Sequence, residues 1–202
     1  MFTSPDFKTA KKQSKKEELL DAAFVAYSSA CVEDAEFAMA YYKRGKCYLM
    51  MHDYKRALYD FSAAILNEQK GSSKYQVSTK EGGLAQYYMC AGQCNYYLGQ
   101  YEEALAHYQI AIRAEDKDGK DQQLLSQIYY NKGLANASLM NYSEAIRDYE
   151  KALEGSENTK NFYARFQLGV TQRRIANTQK DANTEEFLDQ SIENLKQACQ
   201  QN

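Results

Sequence analysis

Proline is almost missing: Pro5 is the single one among 202 residues, beside only 10 glycines and no tryptophan. That scarcity excludes collagen-like chains and proline-rich linkers. It also weighs against an all-β sandwich, whose strands need a turn signal every ~8–12 residues. No apolar run approaches the roughly 20 residues that span a bilayer, so no membrane insertion is expected. Charge of one sign is lacking too: 25 basic and 27 acidic residues leave a net charge of −2. A balanced chain is not a nucleic-acid binder by bulk charge. The first residues have no hydrophobic segment between a basic start and a cleavage site, so no leader peptide is expected. Five cysteines (Cys31, Cys47, Cys90, Cys94, Cys199) are an odd number. With no leader, they point to free thiols in a reducing compartment.

What is abundant is tyrosine, with 18 copies beside 8 phenylalanines. Ala, Leu, Glu, Lys and Gln are also plentiful, and these are strong helix formers. An all-α chain follows, and the aromatic content argues against wholesale disorder.

The chain repeats itself. Residues 41–64, 88–111 and 129–152 align without a gap. Each block opens on an aromatic (Tyr41, Tyr88, Tyr129), followed four residues later by glycine (Gly45, Gly92, Gly133). Nine residues past the glycine stands Tyr54, Tyr101 or Tyr142, and twelve past it Ala57, Ala104 or Ala145. An aromatic follows at sixteen (Phe61, Tyr108, Tyr149) and alanine at nineteen (Ala64, Ala111, Ala152). Each block is two amphipathic helices joined at His52-Asp53, Gly99-Gln100 or Met140-Asn141. Glycine inside a helix costs up to about 1 kcal/mol against alanine, so its recurrence needs a packing reason. Close approach of the paired helices supplies one, since added methylenes there would cost about 1–3 kcal/mol.

These blocks resemble the tetratricopeptide repeat (TPR) family, over about residues 38–202. The resemblance implies a right-handed α-solenoid of stacked helix-turn-helix hairpins. Repeats are expected over 38–69, 85–117 and 126–157, with a degenerate fourth over 162–202. In the fourth, Gly169 holds the glycine place, while Ser191, Leu195 and Ala198 replace the second-helix pattern. Residues 17–34 carry Ala23, Tyr27 and Ala30 in second-helix spacing and suit an N-terminal capping helix. The whole stretch 17–202 is expected to form one domain. Two features depart from the family. Successive glycines lie 47, 41 and 36 residues apart, against the family's 34, and the proline that usually ends a repeat is absent. The extra residues fall in 70–83 and 114–123. Second helices that run on past the usual stop, then polar loops, are the expected result. Such a long-repeat variant is similar to scaffold and adaptor proteins.

Catalytic groups are scarce. His52 and His107 are the only histidines, and neither has a nucleophile in a catalytic setting. Lys70-Gly71-Ser72-Ser73-Lys74 is a polar linker, not a phosphate loop. No enzyme activity and no cofactor are expected. Cys90 and Cys94, at i and i+4, could share a metal. The place of Cys94 in the repeat is taken by Cys47 and Ala135, however, so small buried packing residues are expected and no metal.

The family's usual work is protein binding on a concave face lined by the first helices. The resemblance puts the side chains six and three before, and one and four after, each glycine on that face. These are Met39, Tyr42, Lys46 and Leu49; Gln86, Met89, Gln93 and Tyr96; Gln127, Tyr130, Leu134 and Ala137; and Tyr163, Phe166, Val170 and Arg173. The lining is aromatic and apolar, with few charges. It would be either an open groove or a face covered by the molecule's own helix or loops. TPR co-chaperones clamp the C-terminal carboxylate of heat-shock proteins with Lys, Asn, Asn, Lys and Arg. Here those places hold Tyr42, Lys46, Cys90, Gln127 and Asn131, or, one repeat later, Met89, Gln93, Asn131, Tyr163 and Gln167. Either set lacks the positive charge a carboxylate needs, so no heat-shock protein C-terminal tail is expected as partner.

Both ends offer further surfaces. Residues 1–16 hold Lys8, Lys11, Lys12, Lys15 and Lys16. They are expected to form a flexible basic arm, either a solvated tail or a segment that orders on an acidic partner. Leu188, Ile192, Leu195 and Cys199 follow helical spacing near the other end and could dock in a larger assembly. The expected protein is thus a non-enzymatic adaptor that binds a helix or extended peptide, as a subunit of a larger complex. The alternative is a transient co-chaperone or assembly factor. The abundance of Asn, Lys, Tyr and Gln hints at AT-rich coding. With the long-repeat resemblance, it suggests a cytoplasmic protein, with a ciliary assembly as one setting.

Overall fold

The structure is a computed structural model, and it describes residues 7–71, 75, 83–118, 121–154, 162–178 and 184–200. Among these residues there are nine helices and no strand. They are α1 (Phe7–Glu33), α2 (Ala38–Met50), α3 (Tyr54–Lys70), α4 (Leu84–Tyr97), α5 (Tyr101–Asp118), α6 (Gln122–Ser138), α7 (Tyr142–Glu154), α8 (Phe162–Thr178) and α9 (Thr184–Gln200). Consecutive helices pair as α2–α3, α4–α5, α6–α7 and α8–α9. The chain divides into two compact units, Met1–Gly83 and Leu84–Asn202. The division falls at the end of the 70–83 stretch.

In every hairpin the glycine faces the large side chain predicted for it. A Cβ on Gly45 would stand 2.8 Å from the Phe61 ring. On Gly92 it would be 2.6 Å from Tyr108, and on Gly133 2.6 Å from Tyr149. Real Cβ atoms do not approach rings so closely, so only glycine admits these crossings. Ala57, Ala64, Ala104, Ala111, Ala145 and Ala152 are fully buried beside the rings. The fourth hairpin solves the same contact differently. A Cβ on Gly169 would stand 2.9 Å from Leu195 and 3.1 Å from the Ser191 carbonyl, and Ser191 Oγ donates to the Gly169 carbonyl at 2.8 Å.

Within the first unit, α1 packs on α2 and α2 on α3. Phe24 meets Tyr48 edge-on at 5.1 Å. Asn67 Nδ2 donates to the Ala35 carbonyl, tying the end of α3 to the α1–α2 corner. Tyr75 packs on Phe37 and donates to Glu33 at 2.6 Å. The stretch 1–16, expected as a basic arm, is in part helical. Helix α1 begins at Phe7, so 7–16 are helical, and only 1–6 lie outside the described residues. Past Pro5 nothing breaks a helix, and Lys, Ala, Gln and Glu all favour one. Within the second unit, α5 packs on α6 and α7 on α8. Helices α3 and α5, at 17 and 18 residues, outlast the 13 residues of α7. Those are the two repeats with extra sequence.

The three inter-helix turns share one backbone device. The residue seven past each repeat glycine is left-handed: His52 (φ 59°), Gly99 (φ 78°) and Met140 (φ 62°). Gly99 adopts this without strain, whereas the conformation costs an L residue roughly 1–2 kcal/mol. Met140 is exposed, so Met140→Gly removes the strain without loss of packing. Glycine's larger unfolded-state entropy offsets part of the gain. The expected result is about 0.5–1 kcal/mol of added stability, read as a rise in melting temperature. A fall would show that Met140 makes contacts that outweigh the strain.

Candidate functional site

The residues expected to line a binding face divide between the two units. In the second unit the first helices α4, α6 and α8 lie side by side, so equivalent register positions come together. Tyr96 on α4 meets Tyr97 at 5.6 Å and Tyr101 at 5.5 Å between ring centroids. Tyr130 on α6 rests on the buried Tyr149 ring at 6.2 Å. Leu134 and Ala137 continue its stripe, packed on the cluster of Ala145, Tyr149 and Leu168. On α8, Phe162 stacks on Phe166 at 6.1 Å and meets Tyr163 edge-on at 5.2 Å. Tyr163 is 66% exposed and Phe166 41%. The Tyr130 hydroxyl is held above its usual pKa by burial first, then by Tyr96, Tyr97 and Tyr163. Gln86, Gln93 and Val170 are half-buried, and Gln127 and Arg173 are exposed.

Two expected lining residues do not offer surface. Met89 is buried, and so is Tyr42 in the first unit. The Tyr42 ring packs on Phe61 at 6.0 Å, with the Lys46 ammonium over it at 5.4 Å. Met39 and Leu49 are half-buried and Lys46 is exposed. Conversely, the expected list omits Tyr97 and Phe162, which join the aromatic face. The signal was present in the doublets Tyr96-Tyr97 and Phe162-Tyr163, which widen the aromatic stripe by one helical position.

The face is aromatic, with few charges, and edged by hydroxyls and carboxamides. It can bury apolar side chains of a partner and hydrogen-bond its backbone. The remaining candidate groups are placed as follows. His52 Nδ1 lies 2.9 Å from the Tyr54 hydroxyl in the exposed α2–α3 turn. His107 is bonded to Asn95 at 3.1 Å, and burial lowers its pKa despite Glu103. Cys47, Cys90 and Cys94 are buried free thiols. Burial, with Cys90 nearby, pushes the Cys94 thiol up to about 12, which keeps it a protonated packing group. Among the described residues no three His, Cys, Asp or Glu side chains are grouped as a metal site, and no helix is long and apolar enough to cross a membrane. At the far end Leu195 covers Gly169, while Ile192 and Cys199 are exposed.

Residues 83–158 match the family model described as tetratricopeptide repeat. Among solved structures, MamA is similar over 98% of this chain and 96% of its own, at 18% identity and a TM-score of 0.67. YrrB, described as a TPR protein with an unusual peptide-binding site, is similar over 94% of this chain and 86% of its own. Its identity is 20% and its TM-score 0.62. The first TPR of Spaghetti (RPAP3), solved with the HSP90 peptide SRMEEVD, covers 69% of this chain and 93% of its own. It is 19% identical, with a TM-score of 0.55. At these identities the likeness establishes the fold, an all-α solenoid of stacked helical hairpins. No curated protein matches the chain.

Proposed function

From a chain whose residues 83–158 match the tetratricopeptide repeat model, we propose a non-enzymatic adaptor that binds an extended or helical segment of another protein on its aromatic face. The observation that carries this reading is the open aromatic row in the second unit. Tyr97, Tyr163 and Phe166 are exposed, and Tyr96, Tyr97 and Tyr163 lie near enough to the Tyr130 hydroxyl to raise its pKa. Large exposed aromatic patches are rare on surfaces with no partner, and rigid aromatics dominate binding energy where partners meet. That YrrB is described with a peptide-binding site supports the same use of the fold.

The test is capture of native partners on immobilised protein, compared between the wild type and Tyr163→Ala/Phe166→Ala. Both side chains are exposed, so circular dichroism is expected to stay unchanged while recovery of the partner falls tenfold or more, as for loss of about 2 kcal/mol of hot-spot contacts. Unchanged recovery with an unchanged spectrum would refute the aromatic face. Tyr42→Ala is no substitute for this test, because the ring is core. Recovery in fixed stoichiometry with a large complex would mark a structural subunit. Substoichiometric recovery would mark a transient assembly factor or co-chaperone.

A heat-shock protein tail is not the proposed ligand, although RPAP3's first TPR is solved with one. At the clamp positions this chain offers one cation, Lys46, and the neighbouring places are occupied by the buried Tyr42 and Cys90. A terminal carboxylate would be desolvated there without the charge that compensates it. The free cysteines suit a reducing compartment, and a cytoplasmic or ciliary adaptor is the setting we propose.

A further inference from the structure

A second surface lies in the first unit, on the side of α1. Lys15 and Lys16 of α1 are exposed.

Lys16 stands at the end of an open groove. One helical turn past Lys16 come Leu19 and Leu20, then Ala23 and Tyr27 on the same face. These residues, with Cys47 and Met50 of α2, line an open groove of about 340 Å³. Lys16, Lys43 and Lys46 stand along it. Leu19 and Met50 are exposed for more than half their surface. Its lining thus contains three lysines and no carboxylate. The carboxylates of Glu17 and Asp21 instead line an adjoining hollow with Met51 and His52.

From this charge pattern we propose that the α1–α2 groove binds an acidic amphipathic segment of a partner protein. The carboxylates of that segment would lie along Lys16, Lys43 and Lys46. Its apolar side chains would enter the groove over Leu20, Tyr27 and Met50. The site is separate from the aromatic face of the second unit and selects for a different chemistry.

The probe is a labelled synthetic helix in which Glu pairs alternate with Leu pairs, read by fluorescence anisotropy against the full chain. Micromolar binding that weakens steeply with salt is expected. The twin peptide with Lys in place of every Glu should not bind. Lys15→Glu/Lys16→Glu/Lys43→Glu/Lys46→Glu should weaken binding by about a hundredfold, and Met50→Gln by about tenfold. If the quadruple variant loses its helical spectrum, Lys15→Gln/Lys16→Gln, two changes at exposed positions of α1, should weaken binding about tenfold instead. Tyr163→Ala/Phe166→Ala should leave this binding intact, so failure here and failure of the aromatic face are read separately. Absent binding, or equal binding of the Lys twin or of the charge-reversed chain, overturns the proposal. So does preference for phosphatidylserine vesicles or duplex DNA over the acidic peptide.

Discussion

Tyr149→Ala is expected to cost about 3–5 kcal/mol of folding stability, as for other fully buried aromatics. The ring has no exposed surface. It fills the space over Gly133, supports Tyr130 and joins Ala145 and Leu168 in the core of the second unit. The measurement is the urea midpoint followed by circular dichroism. A companion substitution shows whether the glycine is there for that ring. Gly133→Ala gains about 1 kcal/mol in helix propensity. In the wild-type protein its Cβ would sit 2.6 Å from Tyr149 Cε1 and 2.8 Å from Cδ1, and overpacking costs about 1–3 kcal/mol. The net effect is expected to be a loss of about 1 kcal/mol. In the Tyr149→Ala background the clash is gone, and the same Gly133→Ala should stabilise by about 1 kcal/mol. That reversal of sign is the result to look for. If Gly133→Ala stabilises the wild type as well, the ring has room and the glycine does not serve the crossing.

The hairpins were legible because their constraint acts on residue type. A glycine under a ring has no substitute, so Gly45, Gly92 and Gly133 mark the register by themselves. The binding face was less legible for a physical reason. Register fixes the direction of a side chain but not what covers it. Three residues before the glycine stand Tyr42, Met89, Tyr130 and Phe166, which run from buried to exposed. One position thus serves core in one repeat and surface in another. The start of α1 was missed because a lysine run resembles a solvated tail in composition, and only its three-and-four spacing distinguishes a helix. The buried ion pairs were missed although their signal is periodic. Arg44 and Lys132 directly precede the repeat glycine, and Asp60 and Asp148 stand fifteen past it.

Those pairs carry the second large effect. Asp148 accepts from Lys132 Nζ at 2.7 and 2.9 Å and from Asn136 Nδ2 at 2.8 Å. Asp60 takes the equivalent place and accepts two hydrogen bonds from Arg44, both 2.8 Å. The hydrogen bonds to Asp60 hold the Arg44 guanidinium firmly charged, raising its pKa against the opposing effect of burial. The second repeat has no such pair: Ala91 and the neutral His107 occupy the places, and Asn95 bonds His107 instead. The pair is therefore one way to fill a buried polar position in the hairpin, not a requirement of it. Removing one partner differs from replacing both. Asp148→Ala leaves the Lys132 ammonium and the Asn136 amide without an acceptor at a site where Asp148 is 4% exposed and Lys132 17%. Breaking a buried pair costs about 3–5 kcal/mol, and the partial exposure of Lys132 places this one near about 3. Lys132→Met/Asp148→Leu should recover most of that loss, because apolar packing of similar volume often matches a buried ion pair. If the double variant is no more stable than Asp148→Ala, the pair contributes more than it costs to bury, and the hairpin depends on its charges.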